Sequence, residues 1–133
     1  MQLPEVGAWQ RVGISIEGGP LHEDEHVVWL QAGPYYADSR GFAGTMSSVA
    51  DCVRWEHEVG VPGVDEGLLR RDDDLLVETG TTPSGGTYVE HWLPLTGAQE
   101  PSGAWVAGSG RVVRVGEHVV HVDGTGGIHL TLP

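Results

Sequence analysis

The chain is 133 residues long and carries 19 acidic against seven basic residues, a net charge of −12. That length gives one domain with a core of its own, and that charge repels phosphate backbones and anionic lipid, so neither nucleic acid nor a membrane is expected as a partner. Every basic residue is arginine and Cys52 is the single cysteine, which removes lysine Schiff-base and P-loop chemistry, an internal disulfide and a cysteine metal cluster.

No charged and then apolar leader and no apolar run of membrane-spanning length is visible, so a cytoplasmic location is expected. In chain order, residues 1–8 read as a short leader. Residues 9–17 (WQRVGISIE) alternate as a strand, with Trp9, Arg11 and Gly13 on one face and Val12, Ile14 and Ile16 on the other. Gly18-Gly19-Pro20 ends it, and residues 21–25 form an acidic connection. Residues 27–40 (VVWLQAGPYYADSR) are two extended runs split by Gly33-Pro34, the mark of a hairpin or tight corner. Residues 41–48 are small and Gly-interrupted, either a bulged strand or a turn closing a barrel.

Residues 49–59 read as a strand with Val53, Trp55, His57 and Val59 on one side, and residues 60–67 as loop. Residues 68–79 hold a hairpin around Arg71-Asp72-Asp73, in which the Asp72–Asp74 run is a solvated turn and Leu76 and Glu78 share a face. Residues 82–86 turn, and residues 87–95 form a strand with Tyr88, Glu90 and Trp92 on one face. After a loop over 96–103 and a short strand over 104–106, residues 111–122 (RVVRVGEHVVHV) give the cleanest local signal. The Gly116-Glu117 pair suits a two-residue hairpin loop, with Val113, Val115, His118, Val120 and Val122 toward a core. Gly124–Gly127 turns the chain into a last strand over 128–132. Nine or ten short strands with Gly-rich turns and no amphipathic helix predict an all-β fold. A sequential meander must close its edges, so the expectation is a single antiparallel up-and-down barrel over residues 1–133.

Two kinds of motif compete for the chemistry. His22-Glu23-Asp24-Glu25-His26 matches the zinc-protease string HExxH, which needs a helix to set both histidines on one face. Here Gly18-Gly19-Pro20 precedes it, a β-branched strand follows, and no apolar stripe supports a helix, so no metal site is expected. No GxSxG elbow, GxGxxG or Walker sequence occurs. The second kind is distributed. Trp29/Gln31, Tyr36/Asp38/Arg40, Trp55/His57, Leu76/Glu78 and Tyr88/Glu90/Trp92 each set an aromatic or apolar group beside a polar one at i, i+2. Mixed faces of this sort line ligand cavities, where walls are apolar and a few polar groups orient the guest. A buried polar network without a ligand is the alternative.

The ordered set Trp9-x-Arg11, Trp29-Leu30-Gln31, Tyr36-x-Asp38-x-Arg40, Phe42-Ala43-Gly44, Trp55, Glu78-x-Gly80 and Glu90-x-Trp92 resembles the HRI1-like proteins, small calycin-like (lipocalin-type) barrels. The resemblance spans residues 9–95 and implies a barrel with a central cavity. Relatives in the wider calycin class bind apolar small molecules or haem, or shape a substrate for cyclisation or isomerisation in biosynthetic pathways. A haem-ligand motif is missing, and no cofactor is expected.

The leading expectation is a barrel that binds a small, largely apolar organic molecule, with Trp29, Tyr36, Trp55 and Trp92 as walls. Gln31, Asp38, Arg40, His57 and Glu90 would orient its polar groups, with Glu78 and Tyr88 in the same lining. The second expectation is a cofactor-free enzyme, an isomerase, cyclase or small hydrolase. In it Asp38 or Glu90 serves as acid or base, His57 assists, and Arg40 or Tyr36 stabilises negative charge. The third, a metal hydrolase using His22, Glu23 and His26, demands a helix there. Self-association into a homodimer is left open.

Overall fold

A computed structural model describes residues 6–50, 52–82 and 84–133, and every regular element among them is a strand. Eight strands close a barrel: β1 (Val6–Ile16), β2 (Val28–Ala32), β3 (Tyr35–Asp38), β4 (Phe42–Val49), β5 (Cys52–Val59), β6 (Gly63–Asp72), β7 (Leu75–Thr81) and β8 (Thr87–Pro94). Each pairs antiparallel with the next, and β8 returns to β1. The expected antiparallel up-and-down barrel of calycin-like architecture is therefore present, and closure leaves none of these eight strands with a free edge. The remaining strands, β9 (Ser102–Ala107), β10 (Gly110–Val115), β11 (His118–Asp123) and β12 (Gly126–Thr131), form a separate four-stranded sheet rather than further staves. No helix among the described residues is long and apolar enough to cross a membrane.

That second sheet explains the valine-rich hairpin. Val113, Val115, Val120 and Val122 pack against Ala8, Val28, Leu30, Ala37 and Ala43, which lie on the outward face of β1–β4. Alternation supplies both surfaces of β2: Val28 and Leu30 face the sheet, while Trp29 and Gln31 face the barrel interior. The β2–β3 hairpin turns through Gly33-Pro34 with Ala32 paired to Tyr35, and Gly33 takes the positive φ of 61° that this turn demands.

Two bulges overturn local expectations. The β1–β8 register shifts between Arg11 and Gly13, so Val12 is the extra residue and Ile14 and Ile16 swing to the interior side that Trp9 and Arg11 occupy above. The β4–β5 register shifts between Ala43 and Gly44, so His57 faces inward while Val59 joins the seam beneath the second sheet. The alternation that put Val59 with His57 breaks there.

Other boundaries also move. Residues 6–8 belong to β1 rather than a leader, and the expected loop over 60–67 is mostly the start of β6. The β6–β7 turn falls one residue later than expected, with Asp72 paired to Leu75 and Asp73 at φ 54°. Residues 1–5 of the expected leader, Asp51 and Pro83 of the expected 82–86 turn lie outside the described residues.

Candidate functional site

The barrel is too wide for its own side chains to fill. A cavity of about 490 Å³ runs into it, lined by residues from every stave. Its floor is aromatic. Trp29 leans on Trp9 with ring centroids 4.5 Å apart and planes tilted by 30°, and meets the edges of Trp55 and Trp92 at 5.9 and 5.7 Å. Gln31 stands behind this cluster: it accepts from Trp29 Nε1 at 3.0 Å and donates to the Gly33 carbonyl at 2.8 Å, which fixes the indole's orientation. Toward the mouth the wall becomes Ile16, Val61 and Val64, and exposure rises from 2% at Trp92 to 67% at Val61. The entrance sets these apolar groups beside Arg40 and the exposed Asp65.

Ten of the eleven residues expected to line a site do line this space: Trp29, Tyr36, Asp38, Arg40, Trp55, His57, Glu78, Tyr88, Glu90 and Trp92. Gln31 is buried outside the lining and acts on it through Trp29. The i, i+2 pairs converge because the barrel turns one face of every stave inward.

Three polar groupings sit in the wall. In the first, Arg11 donates to both oxygens of Glu23 at 2.8 and 3.0 Å and to Glu90 Oε2 at 2.9 Å. Burial works against the Arg11 charge, but these carboxylates outweigh it and raise its pKa, and Arg11 in turn holds Glu23 below the usual carboxylate range. In the second, Arg40 reaches both oxygens of Asp38 at 3.0 and 2.7 Å, and its Nη1 lies 3.6 Å from Glu90. Arg40 is at the rim, with 32% of its side chain in solvent.

The third grouping holds the perturbed acid. Glu78 on β7 and Glu90 on β8 are directly opposed across the ladder, and both are buried. Burial first, and the Glu90 charge second, push the Glu78 carboxyl up to about 8, although Tyr88 donates to it at 2.5 Å. Burial and the Glu90 charge therefore favour the protonated form of Glu78. Gly80 makes room for this contact, since a Cβ there would lie 2.7 Å from the Tyr88 ring. On the facing wall Tyr36 donates to His57 Nδ1, and His57 Nε2 donates to Asp65 Oδ2 at 2.7 Å. Burial and the nearby Asp38 and Asp65 raise both the Tyr36 pKa and the hold on its proton. One polar atom is left over: the buried indole N–H of Trp92, a lining residue, has no hydrogen-bond partner among the described residues.

Sequence reasoning missed Arg11, Glu23, Asp65 and Phe42. Arg11 stands two residues from Trp9, the same spacing that marked the other pairs, so that signal was available. Asp65 was hidden by Pro62 and Gly63, which read as loop. Glu23 belongs to the His22–His26 stretch, which is not helical: it is extended, bridges to Ile14 at His22, and carries Glu23 to Arg11. His26 instead contacts His129 at 3.1 Å, so the two histidines of the string are drawn apart in role and the zinc-protease helix does not form. No group of three or more His, Cys, Asp or Glu among the described residues is arranged to hold a metal ion. Comparisons with protein families, with characterised proteins and with solved structures yield no match for this chain.

Proposed function

We propose that this protein binds a small, largely apolar organic molecule inside the barrel. The observation that carries this reading is the aromatic-walled space of about 490 Å³, within the size range of small-molecule pockets. Trp29, Tyr36, Trp55 and Trp92 serve as walls. Asp38, Arg40, His57, Glu78, Tyr88 and Glu90 orient the guest, and Gln31 positions Trp29. We extend the HRI1-like resemblance to family membership on the ordered motifs alone, and propose a cytoplasmic location.

The test is a native mass spectrum of freshly purified protein, compared with an Ile14→Trp variant whose indole occupies the cavity, followed by titration with naphthol as a probe. Added organic mass or naphthol uptake in the parent, lost in the variant, is the expected result. Uptake by neither protein, or equally by both, overturns the reading.

A second reading, acid–base catalysis in the same cavity, draws on one observation: a protonated Glu78 beside the ionisable Glu90. Asp38 and Glu90 each accept from an arginine, so in this reading Glu78 is the proton donor. Glu78→Gln separates the readings, because an isomerase or cyclase keeps binding and loses turnover by orders of magnitude, whereas a binder has no turnover to lose.

A further inference from the structure

The charges around the cavity do not balance. Asp38, Asp65 and Glu90, with Glu78 in its protonated form, line it, against Arg40 as its one lining cation among the described residues. Arg11 lies behind Glu90, and Glu23 accompanies it. Both guanidinium groups are already committed: Arg40 grips the two oxygens of Asp38, and Arg11 spans Glu23 and Glu90. An incoming carboxylate or phosphate would find no open guanidinium fork and would sit among carboxyl groups of its own sign. A neutral apolar guest would leave the surplus as it is.

We propose that the molecule this cavity takes is an organic cation, an ammonium head on a small apolar body, with the head beside Glu78 and Glu90 and the body against the tryptophans. This rests on the ligand-binding reading above and names the class of ligand. Aromatic faces attract ammonium groups through their quadrupoles, and the cavity offers Trp29, Trp55, Trp92, Tyr36 and Tyr88 around its carboxyl groups. The surface field has the same sign: a net charge of −12 draws cations toward the molecule.

The cation also acts on Glu78. In the empty cavity this carboxyl holds its proton, faced by Tyr88 and Glu90 from β8, Asp38 and Arg40 from the end of β3, Asp65 from β6 and His57 from β5. A bound ammonium replaces that proton as the neutralising charge, so binding releases a proton and tightens as pH rises toward about 8.

The experiment is calorimetric titration with three probes that share one body: phenylpropyl trimethylammonium, phenylpropanol and phenylpropionate, at about pH 6 and about pH 8. The trimethylammonium group has a fixed charge, so any pH dependence belongs to the protein. It is expected to bind about tenfold or more tighter than the alcohol, with the carboxylate weakest, and to gain affinity by up to about tenfold per pH unit. The alcohol is expected to show no such gain, and Glu78→Gln to remove the gain of the cation. An alcohol or carboxylate that binds as tightly as the cation overturns the charge class and leaves the ligand cavity standing. Failure of all three probes to bind overturns both.

Discussion

Two buried regions of this molecule are built from different residues. The seam between the barrel and the second sheet contains only aliphatic groups, Val, Leu and Ala, interlocked from both sides. The barrel interior holds Trp9, Trp29, Trp55, Trp92 and Tyr36, with Arg11, Asp38, Glu78 and Glu90 buried among them. The seam carries stability through this aliphatic contact, with a smaller cavity of about 330 Å³ at its side between Tyr35, Glu58, Trp105 and Arg111. The interior is propped open by rigid indoles and ion pairs, and it keeps a cavity. One strand feeds both regions: β2 sends Val28 and Leu30 to the seam and Trp29 and Gln31 inward.

The largest effect that tests this contrast is expected at Arg11. Arg11→Met leaves Glu23 without its counter-charge and Glu90 with Arg40 alone at 3.6 Å, at a cost of about 4 kcal/mol in denaturant unfolding. Adding Glu90→Gln to it should restore a substantial part. Next, Leu30→Ala opens a void in the seam and costs about 3 kcal/mol, with probe affinity unchanged. Trp55→Phe, on the cavity wall, gives the mirror image: a loss below about 1.5 kcal/mol with a clear loss of probe affinity. If both variants lost stability alike and binding alike, the two regions would not be separate.

Acidity sharpens the same contrast. Glu78 keeps its proton in the folded chain up to about 8, whereas the unfolded chain, with an ordinary glutamate, releases it near 4.5. Raising the pH between those values therefore lowers the Glu78 contribution to stability, a loss complete above about 8. Glu78→Gln has no such proton to lose. Its stability relative to the parent should rise with pH across that window in thermal unfolding series.

The smallest effect lies at the edge of the seam, where His118 contacts the Thr96 carbonyl at 2.6 Å and His129 at 3.0 Å. Burial, then His118 and His26, hold the His129 pKa below its usual value. The unfolded chain takes up that proton first as pH falls below about 6.5, so stability declines with acidification there. His129→Gln should blunt this decline by less than about 1 kcal/mol.

Much of the interior was legible because a strand's period of two is a strong signal: Tyr88, Glu90 and Trp92, or Trp29 and Gln31, declare one face by spacing alone. Gly33-Pro34 and Gly116-Glu117 announced their hairpins by turn chemistry. What escaped was non-local. The bulges at Val12 and near Glu58 invert the faces of Ile14, Ile16 and Val59, and a bulge is set by the partner strand rather than by local sequence. The second sheet could not be told from further staves, since β10 and β11 alternate like any strand and only packing on Leu30 and Ala37 tells them apart. Arg11 finds Glu23 through a connection and Glu90 across the β1–β8 ladder, and local periodicity encodes neither.

The central claim is that the barrel interior is a ligand cavity, and the five tryptophans provide a direct readout of it. Trp29, Trp55 and Trp92 line the cavity, whereas Trp105 lies on the second sheet, 54% exposed. An amide and indole ¹⁵N–¹H spectrum recorded during titration with phenylpropyl trimethylammonium separates them. The indole signals of Trp92, Trp55 and Trp29 are expected to shift while that of Trp105 stays fixed. Shifts confined to Trp105, or an indole region unchanged at saturating probe, would contradict that claim.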